Sequence, residues 1–377
     1  MPRKLLIVSN FIFCPNRKSY IQKTLILVFN YRPSVDLEQR LTIDWSRKAI
    51  KYLGVWLTHC PKDLYKRNYE VSKKIKEDLN HWSTFLISFS SRIETIKMVV
   101  MPTFLYLFMS LPVKIPICQF NEWNKQISRF IWNGKKPRIR FNTLTIDKAR
   151  GGMSLPNLRD YYLAAQILWC DSGYDAGWKE MERNSTNYIR EKWEKEIKER
   201  ISPQQWENIC ENMSSTTCSS YWREFCWKNL VRFFITPKLK SHQTSLTHTC
   251  WRGCGEVDAN HYHIFWACPK IDKFWENVWE TIQQILDLQI PGSCLSLYLG
   301  DMPEELTRND KYLLKIFTAA AKKAITRKWL QTDSPTVDNW LDIIKEIHEM
   351  ERLTFLLRMR NDLYIGRGTK WNLYMFK

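Results

Sequence analysis

The sequence predicts a mainly α-helical chain with a small β portion near the start and a small zinc-binding module late in the chain. Three observations carry that expectation. Apolar residues recur at helical spacing through most of the chain beyond residue 60, two short β-rich runs precede them, and three cysteines and a histidine lie at metal-ligand spacing between residues 250 and 268.

The β portion comes first. Residues 23–29, Lys-Thr-Leu-Ile-Leu-Val-Phe, read as a buried strand, and so do residues 52–57, Tyr-Leu-Gly-Val-Trp-Leu. Gly54 then lies inside a strand, where a glycine marks a bulge or a close backbone approach. Helices follow. Leu64, Val71, Ile75, Leu79 and Trp82 fall at helical spacings with Lys and Glu opposite. Ser91-Arg92-Ile93-Glu94 has the form of a capping box, with Ile93, Ile96, Val99 and Val100 behind it. Pro102 is expected to kink or end that helix, because it lacks an N–H and its ring crowds the preceding turn. Phe120, Trp123, Ile127, Phe130 and Ile131 form the stripe of a further helix, stopped by Asn133-Gly134, which suit a left-handed cap. Residues 150–157, Arg-Gly-Gly-Met-Ser-Leu-Pro-Asn, read as a turn and a short extended piece. A helix then points Tyr161, Tyr162, Ala165, Leu168 and Trp169 inward. Residues 171–220 are charge-rich and helical from Trp178 to Trp206. They end in the polar run of residues 214–220, where a domain boundary is expected. Phe274, Val278, Ile282 and Ile285 give one later stripe, and Leu313, Phe317, Ala320 and Ala324 another.

Composition narrows the function classes. Hydrophobic residues make up 44% and charged residues 25%, a globular balance. The net charge of +18 is unevenly placed: residues 1–150 hold 27 Lys+Arg against 10 Asp+Glu, and the remainder 30 against 29. A polyanion footprint is therefore expected in the first 150 residues, with a merely soluble basic surface as the bland reading. No helix pairs a basic face with a clean apolar one, so an anionic membrane is the weaker partner. No apolar run is read as approaching the roughly 18–20 residues of a span. Arg3-Lys4 before Leu5–Val8 faintly resembles a signal peptide. Ser9-Asn10 breaks the run and residues 14–18, Cys-Pro-Asn-Arg-Lys, make no small-residue cleavage site, so it reads as a strand or a ragged start. Eleven scattered cysteines favour a reducing compartment with some serving as metal ligands.

Two local constellations carry chemistry. Lys135, Lys136, Arg138 and Arg140 put four cations within residues 134–140, in a Gly/Pro-containing loop with no acid nearby in sequence. Phosphate contact needs such well-presented, uncompeted cations, although a solvated surface loop has the same composition. Cys250, Cys254, His263 and Cys268 read C-x3-C-x8-H-x4-C. Three thiolates and one imidazole close a tetrahedral zinc shell with no open position, which holds a fold and does not activate water. Gly253 and Gly255 let the chain turn so that both sulfurs face one ion. His261 is a rival ligand, giving H-x6-C, and His263 is preferred for its compact spacing. Trp251 and Arg252 would offer a stacking platform and a phosphate contact if exposed.

In order along the chain stand Lys51-Tyr52-Leu53-Gly54-Val55, Lys62-Asp63-Leu64-Tyr65, Arg92-Ile93, Lys97-Met98, Phe130-Ile131-Trp132-Asn133, residues 151–156 and residues 250–256. Together they resemble the C-terminal half of the second-open-reading-frame protein of vertebrate LINE retrotransposons, a reverse transcriptase. The resemblance runs from about Lys23 to about Glu349, with residues 1–18 and those after Met350 unmatched. It implies a palm remnant with primer-grip-like strands over 1–60, a thumb-like helical domain over 61–170, a helical connector over 171–220, a cysteine-rich module over 221–290 and a C-terminal helical segment over 291–377. Lys23 then sits in the lysine motif after the catalytic loop, Tyr52, Leu53 and Gly54 in the primer grip, and the cysteine cluster in a segment associated with RNA binding. Arg150 joins the expected nucleic-acid contacts. The family's aspartate pair falls farther upstream of the Lys23 motif than this chain extends, and no Tyr-x-Asp-Asp occurs. Two-metal polymerisation needs paired carboxylates, so the expectation is a binding fragment and not an enzyme by itself. Its expected partners are RNA and RNA–DNA duplex, with a polymerase core supplied in trans, and neither a membrane nor a small-molecule substrate, in the nucleus or cytoplasm. A protein–protein module or an inert relic is the competing reading. Another chemistry has little to stand on: no Gly-rich phosphate loop or nucleophile elbow occurs, and His59 and Cys60, as strand neighbours, would face apart.

Overall fold

The computed structural model describes residues 5–9, 24–28, 35, 44–46, 49–52, 54–58, 61–68, 71–111, 113–167 and 186–375, and they are mostly helical with a small β portion. Lys23, Leu53, Leu168 and Trp169 lie outside the described residues. The chain divides into two compact units: residues 1–87, 91–136 and 156–179 form one, and residues 88–90, 137–155 and 180–377 the other. The block expected over 61–170 is thus shared between units. The segments expected over 171–220, 221–290 and 291–377 contribute to one continuous core that runs from Ile189 to Trp371.

In the first unit, β1 (Leu5–Ser9) pairs antiparallel with β2 (Thr24–Val28), and β2 pairs parallel with β3 (Asp44–Ser46). β4 (Ala49–Tyr52) and β5 (Val55–Thr58) form an antiparallel hairpin with Tyr52 opposite Val55. Gly54 therefore lies in the turn and not inside a strand; its φ of +87° is what a tight connection asks of a residue without a Cβ. α1 (Pro61–Asn68) is tied to β5 through Asn68, whose side chain accepts from Trp56 N and donates to Trp56 O. α2 (Val71–Ser83) buries Ile75 and Leu79, as the pattern predicts, while Leu64 and Trp82 are half-buried.

α3 (Phe89–Thr95), a π turn (Ile96–Val100) and α4 (Met101–Ser110) form one unbroken helical run. Two expectations fail here. Pro102 does not stop the helix, because it sits in the first turn of α4, directly after the widened π turn, where a missing N–H costs little. Ser91 is already inside α3. The acceptor at the helix start is the distant Glu224 carboxylate, which takes hydrogen bonds from Ser90 N (2.9 Å) and Ser90 Oγ (2.7 Å). The run Phe89–Ser110 is 22 residues and long and apolar enough to cross a membrane by length and composition, contrary to the sequence reading. It buries Ile93, Ile96, Val100, Phe104, Leu107 and Phe108 in the core and carries Arg92, Glu94 and Lys97, as the central helix of a packed unit does.

α5 (Ile117–Ile131) buries all five stripe residues and ends where expected: Asn133 and Gly134 have positive φ, and Gly134 N donates back to Arg129 O. After α6 (Phe141–Thr145), α7 (Leu158–Ile167) places Tyr162 inward, its hydroxyl donating to Val113 O and accepting from Ile115 N. Tyr161 is exposed instead of buried, because one residue's step turns it about 100° away from Tyr162 and Ala165.

In the second unit, the segment from Leu144 to Leu155 folds back on itself: Met153 N and Leu155 N donate to Leu144 O, and Ser154 N to Ile146 O. Trp227 Nε1 on Gly151 O and Thr186 Oγ1 on Arg150 O hold this hairpin to the helices α8 (Asn187–Ile197), α9 (Pro203–Ser214) and α10 (Ser220–Leu230). α11 (Pro237–Thr244) leads to the cysteine cluster, and α12 (Asp272–Leu286) follows it, burying Phe274, Val278, Ile282 and Ile285. α13 (Arg308–Arg327) is the core helix. Its run Ala319-Ala320-Ala321 is fully buried, and such small side chains allow close approach by α14 (Val337–Leu357) and α15 (Asn361–Met375).

Candidate metal centre and basic loop

The chain enters the cluster through an antiparallel bridge between Thr249 and Val257. Between them it makes a tight knuckle: Cys250 N donates to Glu256 O, and Gly253 N to Cys250 O. Gly253 (φ +68°) and Gly255 (φ +87°) supply the left-handed backbone on either side of Cys254, the role assigned to them from sequence. The second half is a π turn, His263–Ala267, closed by Cys268 in extended conformation. Asn260 starts it, its Oδ1 accepting from His263 N at 2.8 Å. A π turn brings residues five apart to the same side, so the H-x4-C spacing delivers His263 and Cys268 together.

The four donor atoms of Cys250, Cys254, His263 and Cys268 all lie within 4.8 Å of one another and could hold a metal ion. Cys250 Sγ is 3.9 Å from Cys268 Sγ, and Cys254 Sγ is 3.3 Å from His263 Nε2. The sulfur–sulfur separation is far beyond a disulfide bond of about 2.05 Å. A tetrahedron with metal–sulfur bonds of about 2.3 Å has sulfur–sulfur edges of about 3.8 Å and sulfur–nitrogen edges of about 3.5 Å. The two short separations are close to those edges and the other donor pairs lie within 4.8 Å, an arrangement compatible with a zinc ion.

Electrostatics set the conditions under which the ligands would take up an ion. Burial pushes the Cys250 thiol up to about 12, helped by Cys254 and Cys268 and opposed by the Arg252 N–H on its sulfur. Without an ion the thiol stays protonated, so a metal must displace the proton, and its affinity rises with pH. Burial, with the Arg252 charge adding to it and Glu256 opposing, pulls His263 down, which keeps the imidazole a neutral donor.

His261, the rival ligand, is excluded by its surroundings. Its Nε2 is 2.9 Å from Tyr298 Oη, and its ring packs 4.6 Å from Phe265 in the core. Arg252 is a correction. It is only 2% exposed and its Nη1 donates to Ile264 O at 2.8 Å, so it is not presented to phosphate. Its Nε and Nη2 are buried without a hydrogen-bond partner. A dication held by three thiolates and a neutral imidazole carries one net negative charge, which would compensate a buried guanidinium. Trp251 is half-buried and edge-on to Trp329, with ring centroids 5.5 Å apart, so its face is only partly available.

The basic loop behaves differently. Lys135, Lys136, Arg138 and Arg140 are all exposed, and none is in an ion pair among the described residues. Buried Ile139 anchors the segment between the two arginines. Arg138 lies 4.9 Å over the Phe233 ring and Arg140 4.8 Å over Tyr188. Seating a guanidinium on a ring orients it without a carboxylate that would compete with phosphate. Phe233 and Tyr188 were not singled out from sequence, because the pairing joins positions far apart in the chain. Of the residues matched to the primer grip, Gly54 is exposed at its turn and Tyr52 ends β4. Arg150 is exposed at the tip of the 144–155 hairpin. No protein-family model matches the chain.

Proposed function

We propose that this chain binds RNA and RNA–DNA duplex through phosphate contacts, as the thumb-like and cysteine-rich part of a LINE-type reverse transcriptase, with a zinc ion in the Cys250/Cys254/His263/Cys268 shell. The observation that supports it most is the run from Lys135 to Arg140: four exposed cations without ion pairs among the described residues, two of them seated on aromatic rings. The ordered blocks shared with that family and the hairpin with Gly54 at its turn are in keeping with this reading. Zinc in a closed four-donor shell has a structural role, since no position remains for water. Within this reading, polymerisation would fall to a core carrying the paired carboxylates, since no Tyr-x-Asp-Asp occurs in these 377 residues.

The test compares wild type with a variant carrying Gln at all four loop positions, on a labelled RNA–DNA hybrid across a salt series. The reading expects log affinity to fall with log salt by roughly 0.7–0.9 per phosphate contacted, and the variant to flatten that slope. An unchanged slope removes the loop as a contact surface. A protein–protein role is the second reading, favoured by Leu356, Leu357 and Met359, which are exposed at the end of α14. Association that persists at high salt in light scattering would select it.

A further inference from the structure

A small cavity in the second unit opens beside the 144–155 hairpin. It measures about 50 Å³ and is bounded by Ile146, Arg150, Thr186, Arg190, Trp206 and Glu207, among others. That volume holds only a few water-sized groups, the size of a tetrahedral oxyanion and too small for a nucleobase or a metabolite. Two arginines, Arg150 and Arg190, are among its lining residues, and neither guanidinium donates a hydrogen bond to a described residue. Arg190 Nε is buried without a hydrogen-bond partner and forms only a long ion pair with Glu194 Oε1, at 3.9 Å. The floor is rigid: Trp206 Nε1 donates to Thr186 Oγ1 at 2.8 Å, and Thr186 Oγ1 donates to Arg150 O at 3.0 Å. Because that hydroxyl is so engaged, Thr186 leaves the 11-residue helix α8 without a side-chain cap at the cavity. The positive end of that helix adds to the field of the arginines. Glu207 is the one carboxylate in the lining and opposes them.

We infer that Arg150 and Arg190 form a phosphate subsite that takes one backbone phosphate of a bound nucleic acid, separate from the Lys135–Arg140 loop. This rests on the nucleic-acid reading for its ligand, but the pocket's selectivity for a phosphate oxyanion can be tested without it. The full chain is measured on the RNA–DNA hybrid across salt, as wild type, Arg150→Gln, Arg190→Gln, the double variant and Glu207→Gln. Each single arginine change is expected to lower the salt slope by roughly 0.7–0.9, one phosphate's worth, with no further loss in the double variant because both hold the same phosphate. Glu207→Gln is expected to tighten binding. Arg190→Lys, which keeps the charge, controls for misfolding. Unchanged slopes in the arginine variants, while the loop variant still flattens, would overturn the subsite and leave the proposed function standing. If wild type binds no nucleic acid, thermal melting in sodium phosphate against sodium chloride at equal ionic strength decides. A phosphate-dependent rise lost in Arg190→Gln keeps an oxyanion site for a small phosphate and discards the nucleic-acid reading; no rise overturns both.

Discussion

Gly152→Ala tests the hairpin that presents Arg150. A Cβ built at Gly152 would lie 1.9 Å from Ile146 O, 2.4 Å from Ile146 C and 2.6 Å from Ile146 Cβ, so the two arms must part by an ångström or more. Parting them breaks Ser154 N to Ile146 O (2.7 Å) and Gly152 N to Asp147 O (2.9 Å). At about 0.5–1.5 kcal/mol net for each hydrogen bond, the two account for about 1–3 kcal/mol. Loosened packing of Leu144 and Leu155, 0% and 2% exposed, adds to that. The expected loss is about 3 kcal/mol or more, or roughly 6–12 °C in melting temperature for a unit of this size. Urea titration with an unchanged slope and a lowered midpoint is the assay. A loss below about 1 kcal/mol would refute the close approach. Gly151→Ala is the milder control: its φ is +87° and its Cβ would stand 3.1 Å from Cys210 Sγ, strained but yielding, for about 1–2 kcal/mol.

Three further outcomes are expected. Native mass spectrometry should find one zinc per chain, lost in Cys268→Ala and in His263→Ala but retained in His261→Gln; zinc loss in the last would make His261 the ligand. Burial first, then the charges of Arg232 and Lys192, holds His261 well below its ordinary value of 6.5. Below that pH the unfolded chain binds a proton the native state refuses, so stability falls as pH drops, by at most about 1.4 kcal/mol per pH unit. His261→Gln should flatten that fall in urea midpoints between about pH 6.5 and 5, and an unchanged slope would contradict it. Lys322 is fully buried, and burial pulls it from 10.5 to about 8, with Cys226 and Cys294 opposing. Its nearest polar contact is Met213 Sδ at 3.7 Å. The cost of its charge, of order 3 kcal/mol, is fully present below about pH 8 and fades as pH rises toward 10.5. Lys322→Met should therefore stabilise the chain at pH 7 by about 1–3 kcal/mol, and a net loss there would mean the ammonium has a partner.

What could be read from the sequence was local. The α5 stripe and its Asn133-Gly134 stop were legible because both the 3.6-residue period and the cap lie within one segment. The four candidate metal ligands, which the fold does bring together, were legible for the same reason, being 19 residues from first to last. What was missed depends on distant partners. The start of α3 is completed by Glu224, more than 130 positions away, so the capping-box pattern at Ser91 misled. The π turn that accommodates Pro102 has no sequence signature. Arg252 reads as a surface cation in the sequence, and only the fold shows it donating into the π turn at Ile264. Arg190 was hidden in a charge-rich stretch with Glu194 four residues on, a spacing that usually means a solvated pair.

The most direct test of the account is the affinity of the purified, zinc-loaded chain for a labelled RNA–DNA hybrid between about 50 and 200 mM salt. Binding at the low end is predicted, with a log–log slope of about −2.8 to −3.6, from four loop cations each meeting one phosphate at roughly 0.7–0.9. A steeper slope, by one phosphate, is expected if the Arg150–Arg190 cavity is also filled. No binding at the lowest salt, or a flat slope, would contradict it and leave the basic residues as a solvated surface.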